Sequence, residues 1–126
     1  MKKIINTSKA PKAIGPYSQA VEANGMLFIS GQVPINPETG KIVEGGITKQ
    51  TEQVMQNIKA ILTKAGYTFD DVIKSTCLLS DMANFGAMNE VYANYYPENP
   101  PARAAFAVKE LPLSVMIEIE TIAVKQ

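Results

Sequence analysis

Residues 115–124, VMIEIETIAV, limit the fold more tightly than any other stretch of the chain. Val115, Ile117, Ile119, Thr121 and Ala123 alternate with Met116, Glu118, Glu120, Ile122 and Val124. Successive strand residues point to opposite faces, so both faces of this strand are largely apolar. Such a strand needs cover on both sides. Glu118 and Glu120 interrupt one face, and an unpaired carboxylate there costs on the order of several kcal/mol in lost hydration. Just upstream, PPARAAFAV reads as a second strand carrying Arg103, and Leu111-Pro112-Leu113 marks a tight turn between the two. The pair reads as a hairpin whose charges either form a structural ion pair or line a site.

The chain of 126 residues suits one domain, residues 1–126, with a core of its own. NTSKAPKAIGPY mixes Pro11, Gly15 and Pro16 with short polar residues and is expected to be an ordered loop or a flexible arm. Two β-rich runs then flank Asn24-Gly25, a dipeptide suited to a type I′ hairpin turn. The second run ends at Ser30-Gly31-Gln32, where a strand-end bulge, or close approach by a ligand or another chain, is expected. After the turn-rich PINPETGKIVEGG, Ile47, Val54, Met55, Ile58, Ile61, Leu62 and Ala65 recur at helical spacing, and Gly66 closes the helix. Thr51, Gln53, Gln56, Asn57 and Lys59 read as its solvated face. VIKSTCLL is a strand with Ile73, Ser75, Cys77 and Leu79 on one face. Asp81 is placed to cap a second helix with Phe85, Met88, Tyr92 and Tyr95 inward and Asn89 beside that stripe. The order β-β-α-β-α-β-β, with a possible short strand at Lys3 to Ile5, predicts an α+β fold with both helices on one face of a single sheet. The other face is then best buried against another copy of the chain.

Lysine and arginine total 12, against 12 acidic residues, so no net field steers the chain toward nucleic acid or an anionic membrane. With one cysteine, Cys77, and no histidine, an internal disulfide, a Cys/His zinc site and imidazole catalysis are excluded. Cys77 has no neighbouring acid-base partner and reads as a buried, inert thiol. No apolar run approaches the roughly 20 residues of a membrane helix. The N-terminal apolar run of Ile4 and Ile5 is too short for an export signal, and a cytoplasmic setting is expected.

Five features in this order carry a family resemblance: Ala13-Ile14-Gly15-Pro16-Tyr17, Ser30-Gly31-Gln32, the helix with Asn89, Pro101-Ala102-Arg103, and Ile117-Glu118-Ile119-Glu120. From about Ala10 to Val124 the chain resembles the Rid, or YjgF-like, reactive-intermediate deaminases. The resemblance implies a chorismate-mutase-like fold and a homotrimer with a ligand site at each subunit interface. It implies hydrolysis of 2-aminoacrylate, 2-iminopropanoate and 2-iminobutanoate, released by pyridoxal-phosphate enzymes, to 2-oxoacids and ammonia. No metal or organic cofactor is implied. The family's carboxylate-binding arginine falls on Arg103 and its water-positioning glutamate on Glu118. Tyr17, Ser30, Gly31, Asn89 and Ala105 fall on the remaining substrate-contacting positions. Many members carry a cysteine where this chain has Ala105, so regulation through a thiol there is in doubt, while a backbone contact would survive. Two other readings are an endoribonuclease or translation inhibitor, and a non-catalytic ligand sensor or chaperone. Zero net charge and the lack of histidine argue against the first, and a sensor has no need of Glu118.

Overall fold

The computed structural model describes all residues, Met1–Gln126. Strands β1 (Lys3–Ile5), β2 (Ala20–Ala23) and β3 (Met26–Gln32) form an antiparallel meander. The β2–β3 turn is at Asn24-Gly25, with φ of 53° and 74°, both positive as a type I′ turn requires. Two-residue strands β4 (Ile35–Asn36) and β5 (Lys41–Ile42) form a small separate hairpin inside the stretch expected to be only turns. Helix α1 (Gly46–Ala65) follows and stops at Gly66, whose left-handed backbone sends its N–H to the carbonyls of Leu62 and Thr63. Strand β6 (Val72–Leu79), helix α2 (Phe85–Ala93), strand β7 (Ala102–Ala107) and strand β8 (Ile117–Val124) complete the chain.

The main sheet has six strands in the order β1-β2-β3-β8-β6-β7. This overturns the hairpin expected from residues 100–124, because β6 lies between β7 and β8. β7 runs parallel to β6, with Ser75 opposite Arg103 and Cys77 opposite Ala105. β8 runs antiparallel to β6, with Ser75 opposite Thr121 and Leu78 opposite Glu118. The reason is the two-faced hydrophobicity of β8, which places it mid-sheet between β3 and β6. Alanine-rich β7 contributes little area and takes the edge. The α2 segment supplies the long crossover that a parallel β6–β7 pair needs.

Both helices pack on one sheet face, as the element order predicts. Leu27 and Ile29 of β3, Ile117 and Ile119 of β8, and Cys77 and Leu79 of β6 meet Val54, Met55, Ile58, Ile61 and Leu62 of α1 and Met88 of α2. Each large aliphatic side chain so buried contributes about 1.5–3 kcal/mol. Two residues assigned to the solvated face of α1 belong inside. Thr51 and Asn57 are buried, and the Asn57 amide donates to the Val33 and Ile35 carbonyls, tying the β4 region to the helix. Ile73, expected to share the Cys77 face, is exposed because the β6–β8 register shifts between Val72 and Lys74. The Asp81 carboxylate caps the short helical turn that leads into α2 by accepting from the Ala83 N–H.

Candidate active site

The residues singled out from sequence gather into two clusters on opposite faces of the sheet. The first lies on the helix side at the β7 edge. Ser75 and Cys77 face the core, so their register partners Arg103 and Ala105 point the same way. Arg103 meets the Phe85, Asn89 and Tyr92 side of α2 there. Its Nη1 donates to Asn89 Oδ1 at 2.8 Å. Its Cζ lies 5.4 Å from the Phe85 ring centroid and 5.0 Å from that of Tyr92. Phe85, Asn89 and Tyr92 stand at i, i+4 and i+7, one stripe of the helix. Cation–π attraction to the rings and the amide bond together hold the guanidinium. Sequence reasoning assigned Phe85 and Tyr92 to the core alone; their spacing with Asn89 was the available signal for a shared role.

No carboxylate pairs with Arg103, and the chain's single salt bridge joins Lys49 to Glu52. The structural Arg103–Glu118 ion pair is therefore not formed within the chain. A guanidinium held on one side keeps its remaining N–H groups for an external anion, and its planar fork suits a carboxylate. Cys77, beside Ala105, is fully buried. Burial pushes its thiol up to about 11, with a smaller opposing pull from Arg103, so it stays protonated at neutral pH.

The second cluster lies on the face without helices. Glu118 projects there from β8 and abuts Gly31, where a Cβ would overlap the carboxylate. The close approach expected at Ser30-Gly31-Gln32 is thus made by the chain's own Glu118. The β3–β8 register also shifts between Ile29 and Gln32, the expected bulge. Ser30 Oγ donates to the Ser18 carbonyl at 2.6 Å, anchoring the loop that carries Tyr17, which is exposed. That loop is ordered: buried Gln19 donates to the carbonyls of Thr7, Ala10 and Pro11 and accepts from the Thr7 N–H. Burial, and then repulsion from Glu120, raise the Glu118 pKa above the ordinary carboxylate value. A carboxyl tuned this way exchanges protons more readily near neutral pH.

A family model described as Endoribonuclease L-PSP matches residues 7–125. The chain belongs to this family, the Rid or YjgF-like proteins. A RutC family protein of Pyrococcus horikoshii is 59% identical over 126 residues, covering 100% of both chains. The mouse protein named 2-iminobutanoate/2-iminopropanoate deaminase is 47% identical over 125 residues, spanning 99% of this chain and 93% of its own length. A solved Rid-family protein of Yersinia pestis superposes with a TM-score of 0.96 at 47% identity, covering 98% of this chain and 99% of that one. The α+β architecture expected from the residues is that of the Rid fold. No helix is long and apolar enough to cross a membrane.

Proposed function

We propose that this Rid protein hydrolyses 2-imino and enamine acids, among them 2-aminoacrylate, 2-iminopropanoate and 2-iminobutanoate, to 2-oxoacids and ammonia. The observation that carries the reading is the Arg103 guanidinium, fixed by Asn89 and two aromatic rings yet free of any carboxylate in its own chain. It binds the substrate carboxylate. Because Arg103 and Glu118 lie on opposite faces, the working site is shared: the Arg103 cluster of one subunit faces the Glu118 cluster of the next, in a homotrimer. The uncovered sheet face, with Phe28 and Phe106 exposed, supports such an assembly.

An enamine such as 2-aminoacrylate first takes a proton from solvent at its methylene carbon to become the iminium. In this site a water then adds to the iminium carbon as the C=N π bond breaks, and Glu118 accepts its proton, forming a C–O bond and a neutral carbinolamine. Glu118 then passes that proton to the nitrogen. The C–N bond breaks, ammonia leaves with the bonding pair, and the hydroxyl proton passes to Glu118 as the C=O bond forms. Glu118 then releases it to the departing ammonia or to solvent, restoring the carboxylate. Atoms and charge balance without any redox partner. Tyr17 and the Ser30-Gly31 backbone shape the pocket, and Ala105 contributes through its backbone. A threonine dehydratase generating 2-iminobutanoate supplies the test. The protein should speed the appearance of 2-oxobutanoate, and no acceleration at stoichiometric enzyme overturns the proposal. The family description, Endoribonuclease L-PSP, favours a second reading as an RNA-cleaving protein. The same preparation incubated with single-stranded RNA decides between them.

A further inference from the structure

Strand β8 carries a second carboxylate on the open face, Glu120, which the hydrolysis described above does not use. Glu118 and Glu120 are alternate residues of the strand, so both leave the same face, with backbone positions roughly 7 Å apart. Ile117, Ile119 and Thr121, which alternate with them, are buried toward the helices. Glu118 is half-buried against Gly31, whereas Glu120 is exposed opposite Thr76 of β6. Neither takes part in the chain's one ion pair, Lys49–Glu52. The strands on either side of β8 bring little to offset two like charges. β3 has no ionisable side chain, and the loop anchored to it adds the phenol of Tyr17. β6 presents Lys74, which is exposed opposite Ile122 and so diagonal to Glu120, while its Cys77 faces the helices. A threonine or isoleucine at residue 120 would suit an exposed strand position without the repulsion.

We propose that Glu120 is a positioning residue for Glu118: its unpaired charge on the same strand face holds the neighbouring carboxylate ready to take up a proton, and so sets the acid limit of imine hydrolysis. The reaction asks Glu118 to accept a proton from water, give it to nitrogen, take another from the hydroxyl and release it. Too weak a base performs the first of these steps poorly. In the shared site Arg103 of the partner subunit faces Glu118, and a cation there stabilises the ionised carboxylate and weakens it as a base. Glu120 works in the opposite direction, because a second negative charge on the face favours a proton on Glu118. Its repulsion adds to burial in raising the Glu118 pKa. The strand backbone fixes the spacing of the two residues, and the Gly31 contact fixes where the Glu118 side chain lies. The functional half of this inference rests on the reading of Glu118 as the group that handles the water; the electrostatic half does not.

A carbon-13 NMR titration of the Glu118 side-chain carboxyl in the assembled protein, with Glu118→Gln assigning the signal, tests the electrostatic half. In Glu120→Gln the midpoint should fall below the parent's, and in Glu120→Asp it should stay close to the parent's. Raising the salt concentration should narrow the gap between the parent and Glu120→Gln. An unmoved midpoint in Glu120→Gln overturns the proposal. Loss in Glu120→Gln of an oligomer that the parent forms, read by light scattering, assigns the carboxylate to subunit contact and also overturns it. For the functional half, the coupled 2-iminobutanoate assay, corrected for uncatalysed hydrolysis, gives kcat/KM against pH. Below the parent's acid limb, Glu120→Gln should be about two- to five-fold faster than the parent at low salt, as screened repulsion between unit charges at roughly 7 Å predicts. At the plateau the two should agree within a few-fold. An acid limb that stays in place while the NMR midpoint moves shows that another group limits the rate, and the reading of Glu118 falls with the functional half. A limb and a midpoint that both stay in place strike the role of Glu120 alone.

Discussion

Gly31→Ala separates the placement of Glu118 from the stability of the fold. A methyl group at residue 31 would overlap Glu118 Oε2 and lie 2.8 Å from Cδ and 3.0 Å from Cγ, too close for any of them to stay. The obstructing atoms are the far end of a flexible side chain, so the carboxyl swings aside while the strands hold. Gly31 does not have a positive φ, so alanine fits the backbone and removes freedom from the unfolded chain, a gain of about 0.4–1 kcal/mol. Moving the carboxyl by even about 1 Å from the attacking water costs about 100-fold in rate. That corresponds to about 2.7 kcal/mol of transition-state stabilisation. The expected outcome is an unchanged or slightly raised Tm with kcat down about 100-fold in the coupled 2-iminobutanoate assay. Binding of 2-oxobutanoate, assigned to Arg103 in the proposed site, should change far less. Parent-like turnover would refute the role of Glu118 in handling the water, and a large fall in Tm would refute the idea that only the carboxyl moves.

Arg103→Ala should lower kcat/KM by roughly thirty-fold to several thousand-fold, about 2–5 kcal/mol, and abolish calorimetric binding of 2-oxobutanoate; Arg103→Lys should restore little of either. Glu118→Gln should lower kcat while that ligand still binds. Because the folded-state pKa of Glu118 is raised, the folded chain holds this proton more tightly than the unfolded one, and stability falls as pH rises above the unfolded value of about 4.3. Glu118→Gln should therefore melt higher than the parent at neutral pH, with the difference vanishing in acid; a parent-like Tm at every pH would contradict the burial of this carboxyl. Light scattering at micromolar concentration should give the mass of a trimer, and a monomer mass would remove the basis for a shared site. Ala105→Cys should leave hydrolysis within a few-fold of the parent, as a backbone contact requires, and a large gain would assign the role to the side chain.

Local chemistry was legible in the residues themselves. Asn24-Gly25 demanded a turn with positive φ and has one, and Gly66 ends α1 where the helical spacing of Ile61, Leu62 and Ala65 runs out. The apolar alternation of β8 placed it in the middle of a sheet, and the bulge near Gly31 followed from a glycine at a strand end. These are short-range effects, decided by the dihedral freedom and side-chain spacing of a few neighbours. Thr51 and Asn57 could not be assigned correctly that way, because their burial depends on the β4 region folding back onto α1 and presenting the Val33 and Ile35 carbonyls. The order of the last strands was likewise beyond local reading. Pairing β7 with β6 joins residues far apart along the chain, and nothing within residues 100–124 reveals that β6 is inserted between β7 and β8. That insertion, with the register it brings, sends Arg103 to the helix side and Glu118 to the open side. The sequence by itself determined which residues carry the charges; only the tertiary structure decided that they stand on opposite faces, because facing in a sheet is set by pairing register between strands.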